Sequence, residues 1–498
     1  MATTTVLTDI NTDLFPIPSR HVQPNRELVL PRSKAGVSLA STTVLQRVLT
    51  DNHKRWHIFF NLKRFHNHTA HAALTLWFLG ADPAVLEGSY EEHIKIQRPA
   101  FKSPGPITRH TWKDHLGDDT YYQAYLGFFQ DELKEKSFGP LLEEYVFGHS
   151  ANAVASSVTK EHPEMLKRFL AGLLHPMIHT GFGVEFSLPG TFAEGLAQTA
   201  VHLADKGDLI PLKWFAPPDT GLIYKFTGIR ISAKEQKDVH AFSILARILE
   251  DPELGGFPAP AFEEQFYPSV VQRYGTAIAK YVDDWTLEGD LEKKVQELLW
   301  TNALLYGVAG VEANGGFVAD FFLMHLVTSS LFLSEVFSEL KRSSQVELLR
   351  GYFATCLAWY IGRGRPKLDI AEFFSRDNAR PTAPGPQPTP HEGANPSPSA
   401  PEAITPNPWL PVLQSTLAHP DDHLAKLQRS LSEYSMHFGL TPAGTFKNTE
   451  LKDAGLIDGT LFIRAAGLSL SAMGWVREGQ APGAWSFDGF FQPAESKL

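Results

Sequence analysis

Imidazole side chains gather in four places along this chain: FHNHTAH at 65–71, HPMIH at 175–179, His240, and His325 inside a nearly all-apolar run. A neutral imidazole is the commonest side-chain metal ligand, and several of these rings sit among residues too apolar to give a polar group a partner. The chemistry to expect is a buried metal centre in a helical protein. His175 and His179 are four apart, so on a helix their rings leave one face about one turn apart and can share an ion. Pro176 lies between them; inside a helix it removes the bond to residue 172 and kinks the axis. His68 and His71 are three apart at the start of an apolar helix, a spacing at which one of them can bind a metal while the others hydrogen-bond a substrate or a ligating ring. His66, just outside the pair, is the candidate for a polar contact to a substrate or for proton transfer. His325, in FFLMHLVTSSLF, needs either an ion or a partner such as Thr328 or Ser329. His240, with Lys237 and Arg247 nearby, belongs to a wetter face and stays outside the set.

The elements that must position these rings read as helices joined by short loops, which makes the fold class mainly α around a single large core. Residues 70–79 form an apolar helix closed by Gly80 as its C′ residue. A second helix runs over 163–180 and stops before Gly181-Phe-Gly183, and a third, over 317–340, is apolar nearly all round and therefore interior. Ser232 and Glu235 make a capping box for a helix ending at Asp251-Pro252. Residues 1–379 are the helical catalytic domain; 380–411, dense in proline and small polar residues, are a disordered or extended insert. Residues 412–498 are a small mixed segment, with one helix over 420–438, that packs back onto the main body.

Composition narrows the function further. With 43% hydrophobic and 20% charged residues the chain is an ordinary folded protein, and a net charge of −10 gives no footprint for nucleic acid or for an anionic membrane. One cysteine, Cys356, excludes an internal disulfide scaffold and a cysteine-rich zinc site. No run of 18 apolar residues and no signal peptide are evident, so no membrane partner is expected. The last three residues, Ser496-Lys497-Leu498, are the tripeptide read by the peroxisomal import receptor, which makes the peroxisome the expected location and the cytoplasm the default otherwise. A GxGxxG turn, a Walker A loop, a GxSxG elbow and an HExxH helix are all missing from the sequence, which leaves metal chemistry as the leading catalytic option.

Three of the histidine stretches, FHNHTAHAALTLWFLGA, GLLHPMIHTGFGVEF and FFLMHLVTSSLFL, followed by GRGRPKLD at 362–369, resemble the questin oxidase-like family of fungal polyketide pathways. The resemblance spans about residue 45 to the RPKLD segment, with the four motifs in the expected order. It implies oxidative ring opening of hydroxyanthraquinone-type polyketides with O2 and with NADPH as reductant. One branch of the family implies a non-haem iron(II) centre with four histidines and a carbamylated lysine. Carried onto this chain, those ligands are one of His68 or His71, then His175, His179, His325 and Lys367. Ala72 stands where many relatives carry a further histidine. An ammonium cannot bind iron, but a buried lysine whose pKa falls is a neutral amine that can add CO2 to become a carboxylate-like carbamate. Trp77, Phe182, Phe186, Trp359 and Tyr360 are the aromatic residues available to line a flat apolar pocket. Three other outcomes remain in view: an NADPH-dependent Baeyer-Villiger monooxygenase on the same substrates, a zinc hydrolase or cyclase, and a non-catalytic helical binding protein.

Overall fold

Alternation of long apolar helical runs with polar turns leaves the chain one way to bury its stripes, which is helix against helix. The computed structural model describes residues 9–19, 33–215, 238–257, 266–312 and 315–491, and among these it is mainly α, with strand pairing confined to isolated bridges. The longer helices are α1 (Leu39–Arg55), α2 (Thr69–Phe78), α3 (Tyr122–Leu133), α4 (Met165–Phe186), α5 (Pro189–Val201) and α6 (Ala241–Glu250). They continue with α7 (Phe266–Asp283), α8 (Leu291–Gly307), α9 (Phe321–Ser338), α10 (Arg342–Gly362), α11 (Trp409–Leu417), α12 (Asp422–Phe438) and α13 (Leu461–Met473).

The centre of the molecule is built from α2, α4, α9 and α12. Every residue of α2 is buried, because α1, α4 and α12 all pack on it. α4 packs on α5 and α9, and α9 on α8 and α12. α9 is the one described helix long and apolar enough to cross a bilayer, and most of it is buried inside the fold. It begins where Asp320 accepts from the backbone N–H groups of Phe322 and Leu323. Arg363 grips the same carboxylate through Nε (3.0 Å) and Nη2 (2.8 Å), so the GRGRPKLD segment anchors the end of α10 to the start of α9. Both partners are buried, and losing one side of such a pair costs about 3–5 kcal/mol.

Several boundaries differ from the sequence expectation for physical reasons. α4 continues through Gly181 and Gly183, which are close-packing positions and not stops: a Cβ at Gly181 would lie 2.4 Å from Phe332 Cβ, and one at Gly183 2.5 Å from the Phe192 backbone N. α6 starts at Ala241 with His240 as its N-cap, accepting from Phe242 N; the proposed capping box at 232–235 lies outside the described residues. The segment 380–411 carries only the short helix Pro401–Ile404 and the start of α11, with Arg380 Nη1 donating to Thr405 O at 2.9 Å. The C-terminal part is helical where a mixed segment was expected: GTLFIRAAGLSLSAM becomes α13, packed on α8 and α12.

Candidate metal centre

His68 occupies the N-cap position of α2 and His71 its first turn, so both rings leave one end of a helix that has no solvent face. His175 and His179 come from the second half of α4. That helix breaks at Ala171–Leu174, where Gly172, Leu173 and Leu174 take left-handed φ values of 53°, 58° and 66°. The break lies ahead of Pro176, which falls in the first turn of the new half, where a missing N–H costs nothing. Gly172 is required here twice over, since a Cβ would lie 2.2 Å from His202 Nε2 and 2.9 Å from His66 Cε1. Its carbonyl accepts from His175 Nδ1 at 2.6 Å and so aims that ring.

The decisive contact is His68 Nε2 to His175 Nε2, at 2.9 Å. His175 Nδ1–H is committed to Gly172 O, and His68 Nδ1 faces Asp422 Oδ2 at 3.2 Å, where a carboxylate favours the N–H. Both Nε2 atoms are then bare lone pairs pointing at each other. A proton between them is disfavoured: burial, with Lys426 adding to it, pushes the His68 ring down to about 3, and burial and His66 push His175 well below the usual range. A cation suits the arrangement, because two bare imidazole nitrogens in a dry interior are a donor set that a metal ion would satisfy.

More bare nitrogens surround this pair. His325 donates Nδ1–H to Phe321 O at 2.7 Å, leaving Nε2 buried without a partner, and His423 Nε2 is likewise unpaired. The rings of His68, His175, His325 and His423 form a closed quadrilateral: successive centroids are 4.9, 5.0, 5.1 and 4.6 Å apart. Ligand atoms of His68, His175 and His423 lie within 4.8 Å of one another. His179 is placed differently. Its Nδ1 faces His71 Nε2 at 3.0 Å, and its Nε2 donates to Glu194 Oε2 at 2.9 Å. The other Glu194 oxygen takes His53 Nδ1–H at 2.6 Å. Burial works to raise the Glu194 carboxyl, but the bonds from His179 and His53 outweigh it and bring it to about 2. His66 stacks on His175, centroids 4.0 Å apart at 6°, with its Nε2 3.2 Å from His202 Nε2.

Lys367 is not brought to the histidines. It is exposed beside a surface groove with Leu249, Glu250, Glu450 and Lys452, because the chain turns outward once Arg363 and Arg365 have anchored it. The lysine at the cluster is Lys426, 5% exposed, with Nζ 3.1 Å from Asp422 Oδ2. Its charge is felt at His68, His71, His175 and His325, each of which it helps to depress. Asp422, His423 and Lys426 escaped sequence reasoning, although DDHLAK at 421–426 carried a signal. Asp421 caps α12, and the polar residues at 422, 423 and 426 share the face that turns inward. Of the aromatic candidates, Phe182 is stacked on His71 at 5.0 Å and 17°, while Trp77, Phe186, Trp359 and Tyr360 are buried in the core. The site takes its apolar wall from Phe321, which lies 4.7 Å from the His325 ring and 5.0 Å from His423.

The sequence that carries this cluster matches a known family. The profile of questin oxidase-like proteins covers residues 65–431, well over half the chain. This protein belongs to the questin oxidase-like family. The matched span runs past the proline-rich segment and takes in Asp422, His423 and Lys426, beyond the RPKLD limit drawn from the sequence. A Baeyer-Villiger monooxygenase of Cryptosporiopsis sp. is 29% identical over 361 residues, 70% of this chain and 76% of that protein. A Baeyer-Villiger oxidase of Pestalotiopsis fici is 25% identical over 86% of this chain and 87% of its own, and the questin oxidase of Aspergillus terreus 25% identical over 77% and 78%. Such relatives are named as oxidases and monooxygenases, which supports an oxidoreductase.

Proposed function

We propose that this protein is a metal-dependent, flavin-independent oxygenase that opens a ring of a hydroxyanthraquinone-type polyketide. The observation that carries the reading is the opposed pair His68 Nε2 and His175 Nε2, 2.9 Å apart with both Nδ1 atoms already engaged. The residues that would hold iron(II) are His68 and His175, with His325 and His423 beside them and the His71–His179 pair bordering the cluster. Bound there, the metal would supply the activation of dioxygen that a flavin supplies in other oxygenases.

The chain's own residues do the rest. Asp422 orients His68 and His423 and offsets positive charge in a dry site. Lys426, buried at the cluster with its Nζ 3.1 Å from Asp422 Oδ2, takes the place first given to Lys367 as the lysine that would border the metal. Phe321 and Phe182 keep water from the rings. His66, tied to His202, is suited to moving a proton between the cluster and the partly exposed His202. The overall reaction consumes NADPH to reduce the quinone to a hydroquinone, then oxygenates the carbon beside the former carbonyl and breaks the carbon–carbon bond. Entry to the peroxisome would be through the import receptor and Ser496-Lys497-Leu498, which lie outside the described residues.

The names of the relatives favour a second outcome, Baeyer-Villiger insertion of a single oxygen followed by hydrolysis. Elemental analysis of anaerobically purified protein tests the centre: about one metal ion per chain is expected in the wild type and little in His175→Ala. Equal metal in both removes the proposal. With labelled dioxygen, two atoms in the product mark the dioxygenase and one the monooxygenase.

A further inference from the structure

Behind His179 lies a chain of polar side chains that the proposed reaction does not use. Gln130 Nε2, on α3, donates to His53 Nε2 at 2.8 Å. An amide nitrogen has only protons to offer, so His53 Nε2 is the bare atom and its Nδ1 carries the proton given to Glu194 Oε1. The remaining Glu194 oxygen, 2.9 Å from His179 Nε2, can only accept, so that nitrogen is protonated as well. The proton on His179 is thus assigned to Nε2, and its lone pair lies on Nδ1, facing His71 Nε2. Glu194 is 3% exposed and His179 1%, so water does not compete for either.

This order is the reverse of the one at the neighbouring rings. His175 and His325 give Nδ1–H to backbone carbonyls and keep Nε2 bare. We infer that Glu194, held by His53 and Gln130, is a positioning residue that makes His179 present Nδ1, not Nε2, to His71 at the border of the metal-binding cluster. The inference rests on the proposed metal centre. It gives a buried carboxylate on α5 a reason to exist: without it the His179 ring is free to take the other tautomer, with a proton where the lone pair must be. Carboxylates that orient a ligating histidine in this way are typically worth about 10–100-fold in metal affinity.

The test uses the full chain with cobalt(II) as the titrated probe and zinc(II) for spectroscopy. Glu194→Gln is expected to bind cobalt about 10–100-fold more weakly than wild type, with its helical circular dichroism retained. In nitrogen-15 spectra of histidine-labelled, metal-free wild type, His179 is expected as the Nε2–H tautomer and His175 as Nδ1–H. On adding zinc, the His179 signal that moves should be Nδ1, a response that a purely structural role for Glu194 does not produce. Wild-type cobalt affinity in Glu194→Gln overturns the inference, provided His175→Ala still loses the ion. Should Glu194→Gln fail to fold, the wild-type spectrum decides alone, and an Nδ1–H tautomer at His179 overturns it. If His175→Ala binds cobalt as tightly as wild type, it is the metal centre itself that falls.

Discussion

Metal-free protein should be measurably less stable than loaded protein, and the structure says by how much and through which residues. His68 Nε2 and His175 Nε2 face each other at 2.9 Å, while His325 Nε2 and His423 Nε2 are buried without protein partners. An unsatisfied buried polar atom costs about 1–3 kcal/mol, so an ion that satisfies these nitrogens has several kcal/mol to recover. At a free ion concentration about 100-fold above Kd the folded state gains about 2.7 kcal/mol, and at about 1,000-fold about 4.1 kcal/mol. For 498 residues at about 2.1 cal/mol/K each, the unfolding entropy is about 1 kcal/mol/K, so these gains become rises in Tm of about 3 and about 4 °C. Calorimetry under anaerobic conditions, with iron(II), cobalt(II) or zinc(II), measures the rise. It should be present in wild type and in the control His391→Ala, whose ring is exposed in the proline-rich segment, and absent in His68→Ala and His175→Ala. A full rise in either ligand variant, or none in wild type with all three metals, refutes the lone-pair argument.

The reassignment of the lysine is checked by a matched pair: Lys426→Met should lower iron content and turnover at least tenfold, whereas Lys367→Met, at an exposed position, should change neither. Equal losses, or loss only at position 367, would restore the original assignment. Away from the site, burial, with Glu143 adding to it, raises the Glu347 carboxyl to about 8, above its value in the unfolded chain. The folded state then holds that proton more tightly, so stability is full below about pH 4.5 and declines as pH rises towards about 8. Glu347→Gln should match wild type near pH 4 and be the more stable protein at pH 8 and above in thermal melts; a gap that does not widen with pH counts against it.

What the sequence determined by itself is local. Periodicity named α2, α4, α9 and α12 as helices, and rings at positions 68, 175 and 325 amid apolar neighbours announced a buried polar cluster, because burial is a property of a stretch and its immediate surroundings. Tertiary structure decided everything that depends on which helices meet. Gly181 and Gly183 looked like a stop until Phe332 and Phe192 were found pressed against them. Lys367 and Lys426 are both plain lysines in the text, and only the turn outward after Arg365 and the packing of α12 on α2 separate the exposed one from the buried one. The same holds for His423 and Glu194, brought to the cluster from 248 and 15 residues beyond the histidines whose α4 segment they serve: His179 finds Glu194 on the next helix, and His175 finds His423 only through the fold. Which nitrogen of each ring is bare follows from a partner within about 3 Å, and a partner at that range across the chain is a fact of packing that no residue carries in its own type.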